Sequence, residues 1–430
     1  MLEINQIAAI GIFIFSYALI VSGKVNRPVA AIIGAVLIVG TGIIDRNNVL
    51  SFINWESLGL LAGMFIIVVA LKEAGFFRWV GLHMAKTIDH HPIIMFIALP
   101  SVTAVMSSFL DAVSVILIMA TMTIEILDAL EINPIPFVMA EIFAANIGGS
   151  ATMMTDPPNV IIGTTLGFSF IDFIQNVAPI SYATLAILFI AMFIIFRTYL
   201  NEGLRKHPVH KHKLTHDPND AIVDWRLLKV GLIALGLVIT LLVIQKMIGI
   251  SVATAAIIPA SIVLAFDWKG SVGVLKKVDW GILVFFGGLF VIVGGLSNTG
   301  VLNIAALGLV GLTGNNLMIA ITLILWLTAI LSTFIDNVAL VTALVPVIAG
   351  ISALADVGLQ PLAWALAIGA CFGGLVTPFG TATNIAGLSV CRKMNHTVIW
   401  GYFFRISLPV TIIALVSANL LLIIRYVLIA

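Results

Sequence analysis

Apolar residues run through this 430-residue chain in stretches that are long enough to cross a membrane. A transmembrane helix needs about 20 predominantly apolar residues. Reading the apolar runs between charged or Pro/Gly-marked breaks gives segments at 5–23, 28–44, 57–77, 93–127, 134–168, 176–197, 229–249, 251–267, 281–297, 317–351, 361–391 and 400–424. The pattern therefore predicts an all-α integral membrane protein.

The composition supports this interpretation and narrows the function. Hydrophobic residues make up 61% of the chain and charged residues 10%, whereas about a quarter of a soluble protein is charged. A net charge of +1 provides no basic surface for nucleic acid. The sequence has no P-loop, GxSxG, HExxH or haem-attachment pattern, so we expect neither an enzyme nor an ATP-driven pump, and no cofactor.

Two segments are too long for a single crossing and carry polar clusters in their middle. Segment 93–127 contains Ser107, Ser108 and Asp111, and segment 317–351 contains Ser332, Thr333 and Asp336. Non-helical backbone at membrane depth is tolerated where it lines a cavity or is buried in protein. Each segment is therefore predicted to be a re-entrant helical hairpin with its Asp at the tip.

The second half of the chain repeats the first at a constant offset. Residues 55–162 match 280–387 without a gap, with 24 identities in 108 positions that include matched Trp, Asp, Asn and Gly residues. We predict a first repeat at 1–198, a linker at 199–228 and a second repeat at 229–430, each repeat with five spans and one hairpin. An odd number of crossings inverts the second repeat, as in many secondary transporters.

The charges predict how such a protein lies in the plasma membrane. The linker is the longest polar segment and carries several Lys and Arg residues, so the positive-inside rule places it in the cytoplasm. Ten transmembrane helices, two of them broken, then put both termini outside and bring the two hairpins in from opposite faces.

The two hairpin tips and two helix breaks supply the candidate binding site. A carboxylate at membrane depth is functional by default, so Asp111 and Asp336 are expected to bind Na⁺ or a proton, or to cap the second hairpin helix, or both. The Gly/Pro breaks near Asn159 and Asn384 should free backbone groups and expose half-helix N-termini to a solute. The candidate substrate- and ion-binding residues are Ser107, Ser108, Asp111, Asn146, Thr152, Thr155, Asp156, Asn159, Ser332, Thr333, Asp336, Asn337, Thr377, Thr381, Thr383 and Asn384. This set contains no Arg or Lys, and its hydroxyl and amide groups are of the kind that hold Na⁺ or a polyhydroxy solute.

The motif from Gly148 to Asn159 resembles the GG-T-A-T-x-x-G-D-P-P-N signature of the arsenite permease/NhaD branch of the ion transporter superfamily. The hairpin tips at 107–113 and 332–338 resemble its S-x-F-x-D-N-V motif, and 400–405 resembles a C-terminal segment of arsenite permeases. The similarity spans nearly the whole chain and implies a secondary transporter. Two departures are Ala112, where the motif has Asn, and Thr155, where it has Gly.

The resemblance implies proton- or sodium-coupled efflux of a small oxyacid or oxyanion such as arsenite, antimonite or silicic acid. A Na⁺/H⁺ antiporter and a Na⁺-coupled carboxylate transporter are alternatives, and an ion channel is a further one, since re-entrant pairs also build pores. The expected partners are a small inorganic solute, H⁺ or Na⁺, and membrane lipid. A second copy of the chain, forming a homodimer, and an ATPase subunit, as in some arsenite permeases, are further candidate partners.

Overall fold

The computed structural model describes residues 3–87, 92–206, 218–266 and 271–429, and these residues form helices without a β-strand among them. The first-half helices are α1 Ile4–Ser22, α2 Arg27–Gly40, α3 Trp55–Glu73, α4 Phe76–Thr87, α5 Pro92–Phe109, α6 Ala112–Ala129, α7 Ile135–Ser150, α8 Pro157–Leu166 and α9 Phe170–Lys206. The second-half helices are α10 Trp225–Ile248, α11 Val252–Phe266, α12 Ser271–Lys277, α13 Trp280–Asn298, α14 Val301–Thr313, α15 Leu317–Ser332, α16 Asn337–Ala355, α17 Leu359–Gly373, α18 Ala382–Lys393 and α19 Trp400–Ile423. The central part of the predicted linker, 207–217, lies outside the described residues.

The sequence repeat reappears as a repeat of helices. Helices α3 and α13 begin at equivalent positions of the repeat, and the side chains that cap them, Asn54 and Asp279, are equivalent as well. The predicted hairpins are α5–α6 and α15–α16, and the predicted broken spans are α7–α8 and α17–α18. Helices α4 and α14, which lead into the hairpins, are additional elements that the sequence analysis did not predict.

The helices account for the predicted membrane architecture. Nine described helices are long and apolar enough to cross a membrane, and three of these, α5, α6 and α16, are hairpin arms. The other six, together with the shorter α2 and α11 and the two broken pairs, make ten crossings. The predicted fold class, an all-α membrane transporter fold with two hairpins and two broken helices, is confirmed.

The two halves are packed into each other through paired glycines. A Cβ atom on Gly63 would lie 2.7 Å from the backbone carbon of Ala256, and one on Gly288 would lie 2.8 Å from that of Ala31. The two glycines are equivalent in the repeat, and so are the two alanines. Helix α3 therefore lies in backbone contact with α11 of the other half, and α13 with α2, because glycine removes the side chain that would hold them apart.

Glycines also allow each hairpin to lie in close contact with its own broken helix. A Cβ atom on Gly148 of α7 would lie 2.1 Å from the carbonyl oxygen of Ala104 in α5. The counterpart Gly373 would meet Ala329 at 2.2 Å. These contacts fix the distance between a hairpin tip and the neighbouring helix break, which is the geometry that the candidate site needs.

We expect Gly148→Ala to destabilise the protein by about 1–3 kcal/mol, because backbone must move to admit the methyl group. The adjacent Gly149 is the matched control, since a Cβ there has its nearest neighbour at 3.8 Å. Thermal unfolding in detergent should show a clear loss for Gly148→Ala and little change for Gly149→Ala. Equal unfolding temperatures for the two variants would contradict the close packing.

Candidate functional site

Both broken helices stop where the sequence prevents a helix from continuing. Helix α7 ends at Ser150, and α8 begins at Pro157, which is followed by a second proline. Proline lacks the N–H group and clashes with the preceding turn, yet it fits well in a first helical turn. In the second half, α17 ends at Gly373 and α18 begins at Ala382. The breaks thus occur where the Gly/Pro pattern predicts them.

An asparagine holds each break together. Asn159 Nδ2 donates hydrogen bonds to the carbonyl oxygens of Ser150 at 2.8 Å and Thr152 at 3.0 Å. Asn384 Nδ2 makes the equivalent two bonds across the second break, at 2.9 and 2.8 Å. A carbonyl that has lost its helical partner in an apolar interior is costly unless another donor reaches it. The asparagine amides are these donors.

This placement corrects the expectation that Asn159 and Asn384 face a solute. Both side chains are 0% exposed, and neither lines the central cavity. Their amide N–H groups are already occupied by backbone carbonyls. The sequence indicated polar groups at a break, but it did not distinguish a group that binds a ligand from one that satisfies the broken backbone.

Hydroxyl groups form hydrogen bonds between each hairpin tip and the neighbouring helix break. Ser108 Oγ lies 2.8 Å from the carbonyl oxygen of Gly148, and Thr152 Oγ1 donates to the carbonyl of Ser108 at 2.5 Å. In the second half, Thr333 and Thr377 make the equivalent pair of bonds at 3.2 and 3.0 Å. Tip and break in each repeat are therefore one hydrogen-bonded unit.

The remaining tip serines are buried in the same units. Ser332 Oγ donates to the carbonyl of Ala370 at 2.6 Å, and Thr155 Oγ1 donates to the carbonyl of Ser107 at 2.8 Å. The hydroxyl of Ser107 is buried without a hydrogen-bond partner among the described residues.

A cavity of about 650 Å³ lies between the two units and divides the predicted site residues into two groups. Those that line it are Asp111, Asn146, Thr155, Asp156, Asp336, Asn337, Thr381 and Thr383. Those that lie behind it are Ser107, Ser108, Thr152, Asn159, Ser332, Thr333, Thr377 and Asn384. The first group can touch a ligand, and the second supports the backbone that presents it.

Four carboxylates belong to the lining: the predicted Asp111, Asp156 and Asp336, and Asp279, which caps the start of α13. Asp111 accepts a hydrogen bond from the backbone N–H of Ser114 at 2.8 Å, and Asp336 accepts one from Val338 at 3.1 Å, so both cap the second helix of their hairpin. Asp156 lies close enough to both for electrostatic repulsion. Among the described residues no three His, Cys, Asp or Glu side chains converge as a metal site of such ligands requires. The capping role of the two tip residues is confirmed, and it leaves oxygen lone pairs for a cation.

Two side chains at equivalent repeat positions connect the halves across the cavity. Asn146 Nδ2 donates to Asn384 Oδ1 at 3.0 Å, which joins α7 to α18. Its counterpart Cys371 donates through Sγ to Asp156 at 2.6 Å, which joins α17 to the segment before α8. The first and second breaks are thus held side by side, each by a residue from the other half.

Basic side chains also line the cavity, so the expectation of a site without Arg or Lys is wrong. Arg27, Lys72 and Lys277 belong to the lining. Arg27 Nη1 lies 2.9 Å from Asp336 Oδ2, and Lys277 pairs with Glu73. Their repeat counterparts are Val252, Ser297 and Phe52. No repeated motif marked these cations, and each sits at a helix end that the sequence presents as an ordinary loop boundary.

The cavity opens on the face of the molecule that carries the linker. It reaches the surface beside Lys72 and Lys277, which are exposed. Near this mouth, the backbone N–H of Val223, in the described end of the linker, donates a hydrogen bond to the carbonyl of Ala74. A separate cavity of about 340 Å³ is lined by residues that are the repeat counterparts of those at this mouth. Phe52 and Asn54, for example, correspond to Lys277 and Asp279. None of the candidate site residues lines this second cavity. The hairpin tips are therefore reached from one face.

We expect Asn159→Ala and Asn384→Ala each to lower the free energy of unfolding by about 1–3 kcal/mol, because buried carbonyls lose their donors. Asn303→Ala, at an exposed position on α14, is the control for the same change. Thermal unfolding in detergent without added solute measures the effect. A variant as stable as wild type would return that asparagine to the group of ligand-binding candidates.

Comparison with known proteins places this architecture among membrane transporters. The chain is 33% identical to the 46 kDa membrane protein of Mycobacterium leprae, over 98% of this chain and 99% of that protein. It is 28% identical to the human P protein, over 93% of this chain and 57% of that longer protein. Its fold matches the crystal structure of the YdaH transporter of Alcanivorax borkumensis with a TM-score of 0.60 at 16% identity, covering 87% of this chain and 86% of that one.

The family assignment rests on most of the sequence. Residues 17–369, which include both hairpins, the first break and most of α17, match the model of the Citrate transporter (CitMHS) family. The chain therefore belongs to the Citrate transporter family and is a membrane secondary transporter.

Proposed function

We propose that the protein couples the movement of a small, oxygen-rich anion to that of H⁺ or Na⁺. The observation that carries this proposal is the lining of one cavity by four carboxylates and by the cations Arg27, Lys72 and Lys277. A cation-binding group and an anion-binding group in the same cavity are the minimum that coupled transport of an anion requires. The proposed solutes are carboxylates such as citrate. Arsenite, whose acid is uncharged at neutral pH, serves as the probe for the neutral oxyacid.

The coupling cation would bind at the hairpin tips, at Asp111 and Asp336. Each carboxylate is held in place by a backbone N–H group at the start of the second hairpin helix. Neighbouring hydroxyls and freed carbonyls of the breaks provide the neutral oxygens that Na⁺ prefers, and a proton needs the carboxylate alone. Asp156 adds a third negative charge that strengthens binding of either cation.

The anion would bind between Arg27 and the two half-helix N-termini. Pro157 begins α8 and Ala382 begins α18, and both residues line the cavity. The positive end of each helix dipole favours an anion. These groups support an anionic solute over the neutral oxyacid of the sequence analysis, and the family model's description supports carboxylates in particular.

The ion pair between Arg27 and Asp336 suggests how the two ligands are linked. Arg27 lies at the start of α2, and Asp336 lies at the tip of the second hairpin. While this pair exists, the guanidinium occupies the place of a coupling cation. A Na⁺ ion or proton at Asp336 would release Arg27, which is then free to bind the anion.

The proposed topology places the linker in the cytoplasm and the hairpin bases on opposite faces. We expect Glu131→Cys, at the base of the first hairpin, to react with an impermeant thiol reagent from the linker face in a background without Cys371 and Cys391. Asn316→Cys, at the base of the second, should react from the other face. Both positions are exposed. Labelling of both from one face contradicts the inversion.

In proteoliposomes, an imposed Na⁺ or proton gradient should drive transport of citrate or arsenite. Asp336→Asn should abolish this gradient-driven flux because the variant carboxamide holds neither cation. Arg27→Gln should weaken anion binding about ten- to a hundredfold without weakening Na⁺ binding, since a charge-assisted bond is lost. Arg46→Gln, an exposed arginine outside the cavity, is the control.

The outcomes separate the alternatives. Exchange of Na⁺ for H⁺ with no response to any anion, and no effect of Arg27→Gln, would indicate a Na⁺/H⁺ antiporter. Flux that dissipates a solute gradient but never runs uphill would indicate a channel. Arsenite transport that persists in Arg27→Gln would restore the neutral oxyacid.

A further inference from the structure

A buried polar group lies outside the cavity, at the junction of α6, α7 and α18. Glu141 of α7 is 0% exposed. Thr123 of α6 donates a hydrogen bond from Oγ1 to Glu141 Oε1 at 2.6 Å. The other carboxyl oxygen, Oε2, has no hydrogen-bond partner among the described residues. None of the transport steps proposed above uses this group.

The surroundings of Glu141 are apolar and provide no cation. The side chains packed at this junction are Ile116, Ala120, Ile124, Val138, Ile142, Ala145, Ala386, Val390 and Cys391. The thiol of Cys391 in α18 is the titratable group that faces the carboxyl. Helix α5 has no titratable side chain, Glu125 on α6 is exposed, Tyr182 on α9 bonds to Ser108, and Cys371 on α17 bonds to Asp156.

Among the described residues, then, no charged side chain interacts with the Glu141 carboxyl. A carboxylate that has lost its hydration and has one hydroxyl donor is strongly disfavoured in such an environment, and it takes up a proton instead. Oε2 is the oxygen left free to carry that proton.

The fold itself does not require a carboxyl group at this position. The repeat counterparts of Glu141 and Thr123 are Leu366 and Ile348, which are 0% and 1% exposed. The counterpart of Cys391 is Leu166. The second half thus fills the same junction with hydrocarbon alone, so the polar group in the first half is a departure that packing does not explain.

Each of the three helices at this junction also contributes residues to the cavity lining, among them Ala112 of α6, Asn146 of α7 and Thr383 of α18. Asn146 lies five residues beyond Glu141 on α7, or about 7.5 Å along the helix. Its bond to Asn384 and the close contact of Ile142 with Gly387 separate the carboxyl from the cavity. A negative charge at Glu141 would draw in water and loosen α18 from α6 and α7. The arrangement of the lining therefore depends on the protonation of Glu141.

We infer that Glu141, with Thr123 as its hydrogen-bond donor, is a proton-binding site separate from the aspartates of the cavity. A proton from water at the linker face, where α7 begins and α18 ends, bonds to Oε2, and the carboxylate loses its charge. Release returns the proton to water and leaves the carboxylate. Proton binding at Glu141 is independent of the proposed function, whereas the effect of this proton on transport rests on the proposed function.

The first test detects the proton directly. Infrared difference spectra of the detergent-purified protein, recorded between alkaline and acidic pH, should contain the carbonyl band of a protonated carboxylic acid in an apolar environment. Glu141→Gln should remove this band, Thr123→Val should shift it to the position of a carbonyl without a hydroxyl donor, and Glu125→Gln, the matched control on α6, should leave it unchanged. A band that persists in Glu141→Gln would overturn the assignment.

The second test measures the effect on transport. With citrate and arsenite as probes, counterflow in proteoliposomes should depend on pH in wild type and in Glu125→Gln. In Glu141→Gln, which imitates the protonated state, the ratio of the acidic to the alkaline rate should move toward one by about twofold or more, since one titrating group is gone while the cavity aspartates remain. A pH profile identical to that of wild type would overturn the role in transport.

The two tests fail independently. If wild type moves neither citrate nor arsenite, the proposed function fails on these probes, and the infrared band alone decides whether Glu141 binds a proton. If the band is absent from wild type, the proton site fails, whatever the transport result.

Discussion

Backbone groups freed by a broken membrane helix have no water to bind, and this constraint determines most of the site. Asn159 and Asn384 satisfy the carbonyls of the two breaks, and hydroxyls such as Thr152 connect the breaks to the hairpin tips. Once these bonds exist, the tips lie beside the breaks, and Asp111 and Asp336 project into one cavity. Half of the polar residues that the sequence predicts for the binding site therefore support the backbone instead of lining the cavity.

The supporting bonds and the tip carboxylates follow the repeat, whereas Arg27 and Glu141 depart from it. Both halves have an asparagine at the break and a carboxylate at the tip. The repeat counterpart of Arg27 is Val252, and that of Glu141 is Leu366. We propose that cavity groups without a repeat counterpart, such as Arg27, give the cavity its preference for particular ligands. The departures from the repeat are therefore the positions most informative about function.

The sequence predicted the frame well, because hydrophobic length, Gly/Pro breaks and the constant offset between the halves are local or repeated signals. It placed both hairpins and both breaks correctly. It did not separate ligand-facing from supporting residues, since Asn159 and Asn146 look alike in a sequence but only the second lines the cavity. It also missed Arg27, because in the sequence an arginine at a helix start looks like an ordinary charge at the membrane boundary. Its ion pair with Asp336 is visible only in the folded structure.

The proposed mechanism requires that an anion and a cation bind in one cavity and affect each other's affinity. Isothermal titration of citrate into the purified protein, at several Na⁺ concentrations and pH values, measures this linkage directly. We expect Na⁺ or H⁺ to tighten anion binding by about 5- to 150-fold, the anion to tighten cation binding by the same factor, and Asp336→Asn to remove the effect. Anion affinity that is independent of both Na⁺ and pH in the wild-type protein would contradict it.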